Sequence, residues 1–203
     1  MDYSLLKINY PVFTGISELD YTEIAMNGLE LILSQSASAS ATIDFTTVLN
    51  DTYDGYQLVG SSIKPATDNT KLQLQIGTGG TPTYQTLGYA WSQVYTIAAT
   101  QTPTGSTSDT HIGILDAGGT NDLGNAAGEN GSFVLYFNNP EITDFCNFTY
   151  TGTYNRAADS LPISNFGGGT WSTAGAITAI RFLMSSGNIA SGRFTLYGYR
   201  KVA

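Results

Sequence analysis

Leu72-Gln73-Leu74-Gln75-Ile76 alternates apolar and polar side chains without a break. A period of two is what a strand shows when one face lies in a core and the other in water. The signal returns in Phe148-Thr149-Tyr150-Thr151-Gly152-Thr153-Tyr154, and residues 29–33, 43–45, 56–63, 111–115, 132–137, 177–184 and 193–200 read as further strands. Small residues at 36–41 lead into Ile43-Asp44-Phe45. Turn clusters such as Asn50-Asp51-Thr52-Tyr53-Asp54-Gly55, Gly77-Thr78-Gly79-Gly80 and Asn138-Asn139-Pro140 separate these runs, because Gly, Asn and Asp reach turn conformations at low cost. Residues 84–107 are polar and aromatic, with a strand or a short helix expected over 89–98. The Gly-, Asn- and Asp-rich stretch 116–131 reads as an exposed, mobile loop, and Gly167-Gly168-Gly169 as another loop. Many strands, no convincing amphipathic helix and no repeat of fixed period predict an all-β fold. The expected form is a two-sheet antiparallel sandwich of jelly-roll type.

The chain has 203 residues, within the roughly 200–250 that an all-β sandwich occupies as one domain. Residues 29–203 read as that domain, and no linker divides it. Residues 1–28 stand apart as an N-terminal arm or attachment segment. They hold Pro11, Gly15, Glu18, Asp20 and Glu23, and their apolar residues follow no clean period; an extra edge strand is the alternative.

Only 12% of residues are charged, and the net charge is −8. An acidic chain repels nucleic-acid phosphates and anionic lipid, so neither nucleic acid nor membrane insertion is expected. Cys146 is the only cysteine, which excludes an intrachain disulfide and reads as a buried, inert thiol. No apolar run approaches the ~18 residues of a membrane helix. Met1-Asp2-Tyr3-Ser4-Leu5-Leu6-Lys7 lacks the basic start and apolar stretch of a secretory signal, so synthesis in a cytoplasm without export by that route is expected.

Residues that could do chemistry are few. His111 is the only histidine. A Ser-His-Asp triad must use it, yet no Gly-x-Ser-x-Gly elbow supplies a nucleophile, and no His/Cys spacing suggests zinc. An exposed or strand-capping role is expected for His111. Glu18-Leu19-Asp20-Tyr21-Thr22-Glu23 fits the Glu-x-Asp-x-x-Glu pattern of jelly-roll glycosidases, whose two carboxyl groups work about 5–5.5 Å apart. Here it sits near the start of the chain and not mid-chain, which favours an acidic arm over an active site. Asp116, Asp122 and Glu129 offer oxygens for calcium, without the twelve-residue pattern that makes such an assignment specific.

Six rings lie in or beside loop-like stretches: Tyr84, Tyr89, Trp91, Tyr95, Tyr154 and Trp171. Among them Trp91, Trp171, Tyr89 and Tyr154 are candidates to stack on a glycan or fill an interface, against core packing as the plainer alternative. Sequons start at Asn50, Asn130 and Asn147, about as many as chance gives in a chain so rich in Ser and Thr. Gly77-Thr78-Gly79-Gly80-Thr81-Pro82 has neither the lysine nor the helix of a phosphate cradle. No catalytic residue, metal or cofactor is expected.

Two stretches carry a family resemblance. Ser34-Gln35-Ser36-Ala37-Ser38-Ala39-Ser40-Ala41-Thr42-Ile43-Asp44-Phe45, with Tyr53-Asp54-Gly55-Tyr56 and Lys64-Pro65-Ala66-Thr67-Asp68 after it, resembles the opening of phage and prophage virion β-sandwich proteins. Ile189-Ala190-Ser191-Gly192-Arg193-Phe194-Thr195-Leu196-Tyr197-Gly198-Tyr199-Arg200-Lys201 resembles their terminal strand. The likeness covers about residues 29–203. It implies a non-enzymatic structural protein of the virion, either a tail fibre or receptor-binding tip or a capsid decoration protein, with the fibre or tip slightly favoured. The implied partners are other virion proteins and further copies of the chain, a trimer being favoured, with a host-surface glycan as a further candidate. A carbohydrate-binding module is the alternative, and a glycosidase using Glu18 and Glu23 ranks below it.

Overall fold

The computed structural model describes residues 28–138, 140 and 144–201. The arm up to residue 27, and with it Glu18, Asp20 and Glu23, lies outside the described residues. None of the described residues is helical. The strands are β1 (Leu29–Ser40), β2 (Thr42–Thr46), β3 (Tyr53–Pro65), β4 (Leu72–Thr78), β5 (Thr83–Tyr84), β6 (Tyr89–Ile97), β7 (Thr100–Asp109), β8 (Ile112–Leu115), β9 (Gly131–Asn138), β10 (Cys146–Asn155), β11 (Pro162–Trp171), β12 (Ala179–Met184) and β13 (Ile189–Arg200).

They form two antiparallel sheets. The larger has eight strands in the order β1-β13-β3-β9-β10-β11-β6-β7. The smaller runs β2-β12-β4-β5, with β8 also paired to β4. The chain is therefore an all-β sandwich. Strands β1, β3, β9 and β13 of the large sheet alternate along the chain with β2, β4, β8 and β12 of the small one, while β10–β11 and β6–β7 widen the large sheet beyond β9.

Alternation decides which face is buried. In β10 every second residue from Cys146 to Tyr154 is buried and the residues between them are exposed. The inward rings meet across the sheets. Phe182 on β12 packs against Phe133 on β9 at 5.3 Å and Phe194 on β13 at 5.2 Å between centroids. Within the large sheet Tyr56 stacks on its cross-strand partner Phe137 at 5.1 Å, and Phe148 follows at 5.5 Å. Cys146 is buried as expected, and burial pushes its thiol up to about 12.

Of the two alternatives for 89–98 the strand holds, as β6, with the end of β5 and most of β7 in the same stretch 84–107. Two expectations are corrected. Gly167-Gly168-Gly169 is not a loop but the middle of β11. A Cβ on Gly167 would lie 2.6 Å from the Tyr150 ring, and one on Gly169 would lie 2.9 Å from the Trp91 Cβ. These glycines exist so that large neighbours on β10 and β6 can close over the strand.

Nor is the stretch 116–131 a free loop. Asp116, Asp122, Leu123 and Glu129 are buried in it, and Leu123 exchanges backbone hydrogen bonds with Thr70.

Replacing Phe182 with alanine should cost about 3–5 kcal/mol, because a large cavity would open between the sheets. Thr149→Ala, on the outer face of β10, should stay within about 0.5 kcal/mol. Urea unfolding of both variants checks the difference.

Candidate functional site

The outer face of the large sheet is the most distinctive surface of the molecule. Pairing register places Val59, Val134, Thr151, Phe166, Val94 and Pro103 side by side on β3, β9, β10, β11, β6 and β7. The next row holds Gln57, Tyr136, Thr149, Gly168, Ser92 and Gly105. On the other side run Ser132, Thr153, Ser164, Thr96 and Gln101. None of these side chains is charged. The first two rows continue onto β13 and β1 through Thr195 and Ser34, and through Tyr197 and Leu31.

Charge is placed elsewhere. On the smaller sheet Arg181 lies directly opposite Asp44, donates to both its oxygens at 2.8 and 2.7 Å, and covers the Tyr84 ring at 3.5 Å.

Phe166 is the centre of the uncharged face. It is 65% exposed, and its cross-strand neighbour Val94 and the adjoining Pro103 are exposed too. A scattered single apolar residue needs no explanation, but Phe166, Val94 and Pro103 are contiguous across three strands, and a contiguous exposed patch does. Beside it a groove of about 900 Å³ is lined by Ser92, Val94, Gly105, Phe166 and Gly168. Gly105 and Gly168 supply its depth by presenting no side chain. Further depressions of about 490 and 280 Å³ continue along the same face.

The four rings singled out from the sequence do not lie on this face. Tyr89 is 0% exposed, Tyr154 2%, Trp171 6% and Trp91 7%. Each turns its polar atom to an internal partner. The Tyr89 hydroxyl donates to the Gln85 carbonyl and that of Tyr154 to the Asn121 carbonyl. The Trp91 indole donates to Asp109 and that of Trp171 to the Leu87 carbonyl. They lie on strands at inward positions, so period two sends them to the core. Of the other rings, Tyr95 is buried and Tyr84 lies under Arg181. Phe166 carries no signal of its own in the sequence, because the three glycines that follow it read as a loop.

The acidic stretch 116–131 is tied down by protein donors. Asp116 pairs with Lys71 at 2.9 Å. Asp122 accepts the backbone N–H groups of Ala117 and Gly118 at 3.2 and 2.7 Å, and burial raises its carboxyl above the usual range. Glu129 accepts from the Ala126 N–H and the Ser160 hydroxyl at 2.6 and 2.7 Å. No group of three His, Cys, Asp or Glu side chains among the described residues is arranged to hold a metal ion.

His111 precedes β8 and is partly buried. Its Nδ1 lies 3.3 Å from Asp109 and 3.0 Å from the Thr110 hydroxyl, and its Nε2 faces the Gln73 amide nitrogen at 3.0 Å. An amide N–H donates, so Nε2 accepts and the ring is neutral with its proton on Nδ1. This half resembles the Asp–His pair of a triad, but the position a nucleophile needs is filled by Gln73.

Comparison with protein-family models, curated proteins and solved structures finds no match.

Burial holds the His111 imidazole below its usual 6.5, against the opposing pull of Asp109 and Asp116. As pH falls, the unfolded chain therefore takes this proton before the folded one does. Stability should be full above pH 6.5 and should decline as pH drops from there through the lowered folded value. Thermal unfolding between pH 7 and 5 should show the decline, and His111→Gln should flatten it.

Proposed function

We propose that the chain is a non-enzymatic structural protein of a bacteriophage virion, an appendage such as a tail fibre or receptor-binding tip or a capsid decoration protein. The strand order carries this reading. Eight strands wind between the sheets in the sequence β1, β2, β3, β4, β8, β9, β12, β13, with neighbours β1-β13-β3-β9 in one sheet and β2-β12-β4-β8 in the other. That pairing supports reading the sandwich as the double Greek key of a jelly roll, a fold that builds viral capsid and lectin domains.

The second of the two segments that resemble phage virion proteins forms β13, held on both sides by β1 and β3. Its inward Phe194 and Leu196 are fully buried, so the motif is a structural element and not a surface signature. The groove on the outer face is lined by hydroxyls, glycines and apolar groups, with no acid or base among them. Such a surface suits binding. Residues 1–28 would attach the protein to the particle, and the sandwich would face outward.

Glycan recognition is the second reading, favoured by the hydroxyl-lined groove beside an exposed ring. Exposed rings stack on sugar faces. Phe166, and not the buried Trp91 or Trp171, is then the residue to test. Glycan-array binding lost in Phe166→Ala would support it, and no binding by the intact chain would remove it.

For the leading reading, deletion of residues 1–28 should leave a folded sandwich that no longer joins particles. Circular dichroism and mass spectrometry of purified virions check both halves. Undiminished incorporation of the truncated chain would sink the attachment role, and absence of the intact protein from particles would sink the virion reading.

A further inference from the structure

We propose that the outer face of the eight-stranded sheet is the docking surface for a second copy of this chain, with Phe166, Val94 and Pro103 as its apolar anchor. The proposal rests on the reading of the chain as an assembling structural protein and names the surface by which it assembles.

Charge selects the partner. The chain carries −8 overall, so two copies repel wherever their acidic surfaces meet. The outer face is the broad surface on which that repulsion has no local source. Its three central rows hold no Asp, Glu, Lys or Arg across six strands. Arg193 stands further out, on β13 opposite Ser36 and Ser61. Depletion of charge with aromatic enrichment is the composition of an interface core, and the exposed rings here are Phe166 and Tyr136, with Tyr199 on β13.

The size also fits. Six strands spaced about 4.8 Å apart cover about 29 Å, and three rows of alternate residues cover about six residues at about 3.3 Å each, or about 20 Å. The product, about 600 Å² per copy, buries about 1,200 Å² in total, the lower end of a standard interface.

Contact through the β7 edge is disfavoured. β7 is the edge strand beside β6, and Pro103 lies in it opposite Val94. Proline removes a donor from the ladder and blunts growth by strand addition. The same ring adds apolar surface to the face. At this edge a partner thus gains more by stacking on the sheet than by extending it.

The test is the mass of the purified full chain across a concentration series, by analytical ultracentrifugation. The intact chain should self-associate. Phe166→Glu and Val94→Lys each place an unpaired charge in the contact, which should weaken association at least about 100-fold. Leu87→Glu, at an exposed residue in the loop before β6, should leave it unchanged. Unaltered circular dichroism and melting establish that the variants fold; both positions are exposed, so folding should survive.

A monomeric intact chain overturns the proposal, and so does an oligomer indifferent to both charges. Binding of a glycan or an unlike protein to the face of a monomer overturns it as well. These outcomes are independent of the virion reading. A monomer found in purified particles defeats the docking surface alone, whereas a face-dependent oligomer absent from particles defeats the virion assignment alone.

Discussion

Phe133 and Phe194 from the large sheet and Phe182 from the small one meet with centroids 5.2 to 6.1 Å apart, and the orientation of the side chains across the middle of the large sheet follows from theirs. Side chains alternate strictly along a strand. Once Phe133 points inward, Ser132 and Val134 must point outward, and register carries that choice from β9 to β10, β11, β6 and β7. A slip of one residue would exchange the two faces, burying threonines and exposing Tyr150 and Trp91. The core and the uncharged outer face are thus two consequences of one constraint.

The alternation made most of the fold legible. Leu72-Gln73-Leu74-Gln75-Ile76 lies within β4, residues 148–154 lie within β10, and the sandwich opens at Leu29 and closes at Arg200. The failures share a cause. β7, with the sequence TQTPTGSTSD, has no apolar alternation because neither of its faces is buried in the core. In β11 Gly167 and Gly169 are glycines because Tyr150 and Trp91 occupy the space their side chains would need, while Gly168 between them faces the outer groove. In both places the strand is specified by its neighbours, and a local reading of propensity sees only turn residues.

The candidate site was hidden by the same limit. Trp and Tyr drew attention through their chemistry, yet Tyr89, Trp91, Tyr154 and Trp171 fall on inward positions. Phe166 falls on an outward one, and only the cross-strand register shows that it stands beside Val94 and near Pro103. The buried polar groups tell a related story. Asp116, Lys71, Gln93 and Asn165 form a connected set around β8, in which Asn165 donates to Gln93 and to the Ile114 carbonyl at 2.6 Å each. Residues that look like a mobile acidic loop in the sequence instead fix how β8 covers the end of the large sheet.

Among the described residues ion pairs lie on the smaller sheet, in the end loops and, on the large sheet, between Arg200 of β13 and Glu30 of β1, with none on the central rows of the large sheet. The most direct measurement of what that distribution is for is hydroxyl-radical footprinting of the intact chain at rising concentration, read at Phe166 and Tyr136. Docking of a second copy predicts that both rings lose reactivity in step with the rise in mass, while exposed Leu87 keeps its own. Equal labelling of Phe166 at all concentrations, in a sample that has become oligomeric, would contradict it.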